Sequence, residues 1–563
     1  MAEYAAESKR KRIERRNAAM KSERSEWEPH WRELAEYFVP RRGRWSLSDR
    51  NKGDKRNQKI IDATPRFAAR VLASGMMAGL TSPARPWFKL TTPDPKLREL
   101  GAVKQWLSAV EQAMRDVFAK SNLYNALPTL YGELGVFGTG AMLALEDQDD
   151  VVRFYPMTVG RYWLATSAKG EVDTMYREIP YTVRQLVQEF GFANVSSGCQ
   201  AAFERGEYEN TVDVIHAIEP NDERLIGRMD AAGMAWRSCY YEIGTRDGDK
   251  LLAERGYRES PILAPRWDVL SEETYGSSPG MDALGDSKAL QFQQKRKAIA
   301  IDKMIDPPLV GPTALRNQRV SLLPGDVTYV DINQVGAGLK SIYDVRLDPS
   351  MLLEDTREIQ DRVNTAFYAD LFLMLAMSDR RQITAREIEE RHEEKLLMLG
   401  PVLERLNDEL LDPMIDRTFA IMLRAGLIPE PPRELEGVDL KVEYISILAQ
   451  AQKAVGIAAV DKLTIFVANA MAINPDSADK LDLDQAIDEY GDALGVSPSI
   501  VRSDDAVAEL RAARQQQQQA MQVAAMAQPA AQAASAVKSL GDTQVTPGSA
   551  LARMMGGATG ATQ

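Results

Sequence analysis

Residues 275–308 read YGSSPGMDALGDSKALQFQQKRKAIAIDKMIDPP, and this stretch decides the fold. Ser278 and Pro279 predict a helix start, because a serine hydroxyl can cap the first turn and a proline fits the first helical position. The double proline that closes the stretch ends the helix, which at residues 279–305 would be about 40 Å long. The middle of this helix, residues 291–297, is polar on nearly every face. We therefore expect it to pack sideways against copies of itself or to line water.

A second long helix is predicted after a short insert. Residues 306–348 are rich in Gly and Pro and indicate a compact loop-and-strand segment. Asp348 and Pro349 then predict a helix start, and the pattern continues to about Ala369. Two long helices that flank a small insert form a hairpin, which carries the insert away from the body. That shape suits docking to another molecule.

The residues before this pair predict a mixed body. Residues 8–38 predict an amphipathic helix, and further helices are predicted near 97–120, 122–136 and 182–190. Thr64 and Pro65 predict a helix that runs to about Leu80, with the Thr64 hydroxyl as its N-cap. Runs rich in β-formers predict strands at Val151–Tyr155, Tyr162–Ala165, Val212–Ile218, Trp236–Ile243 and Ile262–Trp267. The predicted fold class is α+β and mostly helical.

The residues after the pair return to helix. Thr384 and Glu387 form a capping box, in which each side chain can bond the backbone amide of the other. The helix that follows has a heptad seam at Leu396, Leu399, Leu403, Leu406 and Leu410. Core packing is the alternative interpretation of these leucines. Gly400 and Pro401 predict a kink. A strand at 439–447, short helices to about 512, a helical 513–535 and a disordered 536–563 complete the prediction.

Charge argues against a protein that coats nucleic acid. The formal net charge is −12 over 563 residues, whereas nucleic-acid coats are basic. Residues 1–59 hold 17 Lys and Arg against 10 Asp and Glu, and residues 471–510 hold ten acids against two bases. This polarity indicates different surroundings for the two ends, or simply solvated helix faces. An acidic wall is still compatible with DNA that slides past it.

No secretion signal or membrane span is expected. The N-terminal stretch is charged and lacks an apolar core, and no run reaches the roughly 18 apolar residues of a transmembrane helix. Cys199 and Cys239 are expected to be reduced thiols. These features predict a soluble protein that is made in a cytoplasm.

The search for catalytic chemistry finds little. The three histidines, His30, His216 and His392, cannot supply a histidine-rich metal site, and no Walker loop is present. We predict no enzyme activity, no cofactor and no metal. The one alternative is a serine hydrolase, because residues 276–280 match G-x-S-x-G with Ser278 as the nucleophile. Ser278 as a helix cap explains the same residues.

Three motifs occur in order along roughly residues 10–500. The first is TPR at 64–66 with SPxxPWF at 82–88, the second is YGxxPGMxALxDxK at 275–288, and the third is TAxEIxxRxxE at 384–394. Together they resemble the portal proteins, which are the head-to-tail connectors of short-tailed bacteriophages. The matching positions, which we interpret as structural, include Gly276, Pro279, Gly280, Thr384, Glu387 and Arg391.

The resemblance implies a homo-oligomeric ring, a dodecamer, built from parts called wing, stem, clip and crown. The parts would be a wing at 1–278, stem helices at 279–305 and 349–369, a clip at 306–348, a tunnel loop region at 370–383, a long wing helix and strand at 384–446, a crown at 447–512 and a tail at 513–563. The implied partners are double-stranded DNA in the channel, the terminase large subunit, a tail adaptor, and the major capsid and scaffolding proteins. The implied location is the portal vertex of the virion, after assembly in the host cytoplasm.

Within that channel, two sets of basic residues are candidate DNA contacts. Arg380 and Arg381 of the tunnel loop form the first set, although an exposed loop before a helix would explain them as well. Lys295, Arg296 and Lys297 of the first stem helix form the second. Each phosphate that Lys or Arg neutralises adds affinity, so few basic contacts favour sliding. The competing function is another phage structural protein, such as a scaffold or an internal core component.

Overall fold

The computed structural model describes residues 8–45, 57–94, 96–97, 100–245, 249–271, 273–306, 309–311, 340–341, 349–378, 398–435, 437, 440–445, 463–470, 480–487, 507–519 and 521. The chain divides into two compact units, Met1–Pro93 with Trp106–Leu481 and Asp94–Gln105 with Asp482–Gln563. Helices and sheets are both well represented, which confirms the α+β class. Among the described residues, no helix combines the length and apolar character that crossing a membrane requires.

The N-terminal part is helical, as predicted, but its first helix is interrupted. Residues 8–38 form two helices, α1 (Lys9–Ser25) and α2 (Glu28–Tyr37), instead of one. The next helix, α3, spans Thr64–Leu80. The prediction that the Thr64 hydroxyl caps it is wrong. That hydroxyl instead donates to the carboxylate of Asp62 at 2.6 Å, and the cap residue is Ala63.

Antiparallel sheets follow two further helices, α4 (Gly101–Lys120) and α5 (Leu123–Phe137). The three-stranded sheet has the order β3-β2-β9, and its strands are β2 (Ala141–Asp147), β3 (Val151–Met157) and β9 (Ile262–Leu263). The five-stranded sheet runs in sequence order through β4 (Tyr162–Thr166), β5 (Val172–Thr182), β6 (Thr211–Pro220), β7 (Trp236–Glu242) and β8 (Ala253–Tyr257). All five predicted strands exist, but β2, β5 and β8 were missed. The last predicted run is a strand only at Ile262–Leu263.

Helices cover both faces of the five-stranded sheet. Val214 and Ile215 are neighbours on β6 and therefore point to opposite faces. Val214 packs in one apolar cluster with residues of α6 (Val183–Phe190) and α7 (Ser197–Glu204). Ile215 packs in another cluster with Ile13 and Met20 of α1. Cys199 and Cys239 each lie in one of these clusters as buried free thiols.

The predicted pair of long helices is present. The first consists of α8 (Pro279–Asp282) and α9 (Leu284–Ile305), and the second is α10 (Pro349–Ala366). Between them, β10 (Leu309–Val310) pairs antiparallel with β11 (Lys340–Ser341). The predicted loop region 370–383 begins as a helix instead, because α11 spans Ala369–Ser378. Arg380 and Arg381 lie outside the described residues.

The C-terminal leucines form core, which was the alternative interpretation of the seam. Residues 398–406 are helical, a π-helical segment covers Asn407–Leu411, and α12 spans Asp412–Arg424. The described seam leucines are all buried, namely Leu399, Leu403, Leu406 and Leu410. Residues 398–406 are helical through Gly400 and Pro401, and the π-helical segment follows them, so the kink at these two residues stays a prediction. Thr384, Glu387, Arg391 and Leu396 lie outside the described residues.

The remaining predicted elements are present as far as the described residues extend, whereas strand β1 was not predicted. The predicted strand at 439–447 is β12 (Lys441–Tyr444), which pairs antiparallel with β1 (Phe88–Thr91). Residues 463–470 are helical. In the second unit, residues 483–487 and 507–519 are helical, and Arg511 lies 2.6 Å from the Asp484 carboxylate.

Candidate functional site: a helical pair and its anchor

The candidate site is the pair of long helices, and the segment before it provides its anchor. Ser278 is 2% exposed, and its hydroxyl donates to the Val136 carbonyl oxygen at 2.7 Å. The Ser278 hydroxyl oxygen also accepts from the Met281 amide at 3.1 Å, so Ser278 caps the first helical turn, as predicted. Neither of the described histidines hydrogen-bonds Ser278, and His392 lies outside the described residues. This geometry is that of a cap and leaves the hydrolase interpretation without support.

Two glycines of the anchor allow close contact between backbones. A Cβ at Gly280 would lie 2.7 Å from the Val136 carbonyl oxygen, and a Cβ at Gly276 would lie 2.7 Å from the Gly138 carbonyl oxygen. The Gly276 amide also donates to the Thr139 hydroxyl at 2.9 Å. The anchor is therefore pressed against the end of α5, where only glycine fits. This gives a physical reason for the two glycines in the motif.

Tyr275 fixes the anchor on its other side. The side chain is fully buried, and its hydroxyl accepts a hydrogen bond from the Leu164 amide at 3.0 Å. Its ring meets the Trp31 ring edge-on at 5.1 Å between centroids. Burial raises the pKa of Tyr275, so the hydroxyl stays neutral. Tyr275 thus connects the start of the helical pair to α2 and to β4.

Asp62 joins both long helices through one carboxylate. Its Oδ2 atom accepts hydrogen bonds from the Gln294 amide of α9 at 2.9 Å and from the Gln360 amide of α10 at 2.8 Å. Its Oδ1 atom accepts from the backbone amide and the hydroxyl of Thr64. Partial burial favours the neutral acid, but these hydrogen bonds outweigh it and hold the pKa of Asp62 below its usual value. Asp62 is therefore ionised at neutral pH.

Gln291 completes this connection with backbone bonds. Its side-chain oxygen accepts from the amides of Ile61 and Asp62 at 2.7 and 2.8 Å, and its nitrogen donates to the Asp62 carbonyl at 2.9 Å. Gln291 is 5% exposed. The polar middle of the first long helix was predicted to face other copies or water. Part of it instead binds the segment that leads into α3.

The predicted basic set lies just beyond these glutamines. Lys295 and Arg296 are exposed and Lys297 is half-buried. The Arg296 guanidinium lies 4.2 Å from the centroid of the Phe292 ring. Among the described residues, none of the three has an ion-pair partner.

The middle and the far end of α9 expose apolar side chains that the sequence pattern did not indicate. The exposed fractions are 54% for Phe292, 45% for Ile301 and 79% for Ile305. Large apolar side chains grouped on one exposed element indicate a contact with another molecule. These apolar residues are present in the sequence pattern, but the lysines and glutamines around them make this part of the helix read as polar.

A turn connects the second long helix to α11. Tyr368 has a φ of 53°, in the left-handed region, and the flanking Phe367 is fully buried against Phe38 with ring centroids 5.3 Å apart. On α11, Phe372 packs on α3 so closely that a Cβ at Gly75 would lie 2.2 Å from its ring. The turn is thus held by aromatic packing on both sides.

An ion pair between the buried Arg266, shortly after β9, and the half-buried Glu409 of the π-helical segment was predicted by no pattern in the sequence. Arg266 is 5% exposed, and its guanidinium lies 2.6 Å from the Glu409 carboxylate. The Arg266 amide also donates to Glu409 at 2.8 Å. Residues far apart in sequence are joined here, so only the fold brings them together.

Comparisons with known proteins give a consistent result. A family model described as bacteriophage head to tail connecting protein matches residues 10–501. The chain is 50% identical over 547 residues to the portal protein of Salmonella phage epsilon15, a match that covers 97% of this chain and 98% of that protein. It is 47% identical over 522 residues to the probable portal protein of Bordetella phage BPP-1, covering 93% and 94%.

Solved structures of gene transfer agent particles are more distant. A chain in the virion of a native gene transfer agent particle is 11% identical with a TM-score of 0.35, covering 70% of this chain and 84% of that chain. A chain in the neck of an empty particle is also 11% identical with a TM-score of 0.35, covering 78% and 91%.

Proposed function

This chain belongs to the bacteriophage head to tail connecting protein family, and we propose that it is the portal subunit of a phage capsid, a ring of copies around the channel through which DNA is packaged and later ejected. The observation that carries the proposal is the 50% identity to a portal protein over nearly the full length of both chains. A match of that extent leaves little of the chain for a different task.

Within this proposal, the helical pair allows different parts of the chain to be assigned to different parts of the ring. We assign α8 with α9, and α10, to the stem, and the insert with the β10–β11 pair to the clip, where the terminase large subunit and later the tail adaptor dock. The anchor, the Asp62 carboxylate and the Tyr368 turn attach the stem to the body. The body would be the wing, in contact with capsid and scaffolding proteins, and the late acidic region would be the crown.

The exposed side chains of the stem favour contact between copies. A ring needs heterologous interfaces, in which one face of a subunit meets a different face of the next. Ile301 and Ile305, one turn apart near the end of α9, offer an apolar surface for such a contact. Lys295 and Arg296, which have no ion-pair partner among the described residues, would then face the channel and meet DNA phosphates. We retain Arg380 and Arg381 as the first set of DNA contacts.

Imaging of the purified full-length protein tests the proposal. Negative-stain micrographs and mass photometry should show closed annular particles of uniform mass, for which we expect twelve copies. Monomers or open filaments alone, even at high protein concentration, would contradict the portal function. They would favour the competing function as a scaffold or an internal core component.

A further inference from the structure

A cleft in the body of the protein is lined by four arginines that the function above does not use. Its volume is about 310 Å³, and it lies between α3, α5 and the segment that follows α2. Arg41 and Arg42 come from that segment, whereas Arg66 and Arg70 come from α3. Among the other lining residues are the small Ala69, Ala73, Ser74 and Gly132. A cleft of this composition has room for a side chain next to the guanidinium groups.

The arginines of the cleft differ in their acidic partners. The Arg42 guanidinium lies 3.5 Å from the fully buried Glu133 carboxylate and donates to the Thr129 carbonyl at 3.0 Å. Arg66 and Arg70 are one turn apart on α3 and exposed, and neither forms an ion pair with a described residue. The cleft is therefore a positively charged surface on a chain whose net charge is −12.

An exposed aromatic ring lies beside the cleft. Phe67 is 58% exposed, and the Arg70 guanidinium lies 5.8 Å from its ring centroid. Arginine and aromatic residues are enriched where proteins bind proteins. A contact with the DNA backbone alone would not require the exposed Phe67 ring.

We propose that this arginine cleft is an interface between adjacent copies of the chain and receives carboxylate side chains of the neighbouring copy. The inference rests on the proposed ring. Copies that each carry −12 repel one another, so a closed ring requires local charge complementarity where they touch.

Charge reversal tests the cleft. In Arg66→Glu we expect rings to need about tenfold more protein for half-assembly at low salt, because a carboxylate then meets a carboxylate at every interface. This deficit should shrink as added salt screens the repulsion. Arg433→Glu is the matched control, since Arg433 is exposed and has no ion pair among the described residues. It should assemble like the wild type. Mass photometry over a salt series measures both variants. If Arg66→Glu rings match the control, the proposal is overturned.

Cross-linking identifies the group that occupies the cleft, and this test does not depend on a loss of ring assembly. Arg66→Lys with Arg70→Lys keeps the charge and supplies amines, which a carbodiimide joins to carboxylates in direct contact. Mixing isotopically light and heavy copies should give cross-links between copies that involve Lys at these positions. Intact rings without such cross-links, combined with a loss of duplex DNA binding in Arg66→Glu, would mean that the cleft binds phosphates instead, and would overturn the proposal. A wild type that forms no rings contradicts the portal function itself, which is a separate outcome.

Discussion

Gly280 lies against Val136 at a distance that no other residue tolerates, since a Cβ there would be 2.7 Å from the Val136 carbonyl oxygen. We expect Gly280→Ala to lower the free energy of unfolding by about 1–3 kcal/mol, because the obstacle is backbone and cannot rotate away. The start of the long helix would also shift relative to α5. Calorimetry gives the stability, and mass photometry gives the fraction of rings.

Gly285 provides the control for this prediction. It lies in α9 only five residues later, and a Cβ there would meet no atom within 4 Å. Gly285→Ala should therefore be neutral or stabilise the protein by up to about 1 kcal/mol, because alanine favours helix. Equal destabilisation by the two changes would show that the loss reflects the helix and not the contact with Val136.

Asp62 should matter to the junction between the two long helices. In Asp62→Asn the new amide nitrogen faces donors from Thr64, Gln294 and Gln360, so at least one donor is left without its acceptor. Hydrogen bonds to charged groups contribute about 1.5–3 kcal/mol, and we expect a decrease in stability in that range. Asp361→Asn is a suitable control, because Asp361 is exposed on α10 and has no ion pair among the described residues. Thermal unfolding of both variants at pH 7 makes the comparison.

Low pH should abolish the difference in stability between the wild type and Asp62→Asn. The pKa of Asp62 is lower in the folded protein than in the unfolded chain. Its contribution to stability is therefore complete above the unfolded pKa of about 3.9 and is lost as the pH falls through the folded pKa. Unfolding midpoints measured from pH 7 downward should converge only below about pH 4. A difference that persists unchanged there would rule out ionisation of Asp62 as the cause.

The apolar end of α9 should be required for the ring and not for the fold. Ile301 and Ile305 are one turn apart and 45% and 79% exposed. We expect Ile301→Glu with Ile305→Glu to leave the melting temperature of the monomer within a few degrees of wild type and to remove most rings in mass photometry. The control is Ile226→Glu, because Ile226 is 92% exposed on a loop of the five-stranded sheet. If the double variant still closes rings, this surface is not an interface.

The sequence predicted the elements with local signals better than it predicted their contacts. Ser278 and Pro279 mark a helix start on their own, because a cap bond and a fixed φ act within one turn. Asp62 could have been recognised in part, since a carboxylate two residues before Thr64 can accept its amide. Its bonds to Gln294 and Gln360 could not, because they depend on how three distant segments pack.

The errors have equally specific causes. The resemblance implied a tunnel loop region at 370–383, yet α11 occupies Ala369–Ser378, where Leu371 and Phe372 are buried. The π-helical segment was not predicted either, and there Glu409 reaches Arg266. Both features depend on contacts between residues that are distant in the sequence.

The DNA contacts can be tested through the salt dependence of binding. If Arg380 and Arg381 touch phosphates, Arg380→Ala with Arg381→Ala should weaken duplex binding by purified rings and flatten the plot of log affinity against log salt. Every phosphate that is no longer neutralised reduces the slope by about 0.9. The stem variant Lys295→Ala with Arg296→Ala should have a smaller effect of the same kind.

Two further variants distinguish the effect of charge from the effect of residue identity on DNA binding. Arg380→Lys with Arg381→Lys should keep the slope, because counterion release depends on charge. Arg433→Ala, which removes an exposed arginine of the body, should leave it unchanged. Packaging assays then relate DNA binding to function. A channel that contacts few phosphates lets the DNA slide inward, and the same contacts still slow the DNA from sliding back out. If Arg380→Ala with Arg381→Ala rings package and retain DNA like wild type, these arginines are not the contacts, and the basic residues of the stem become the first candidates.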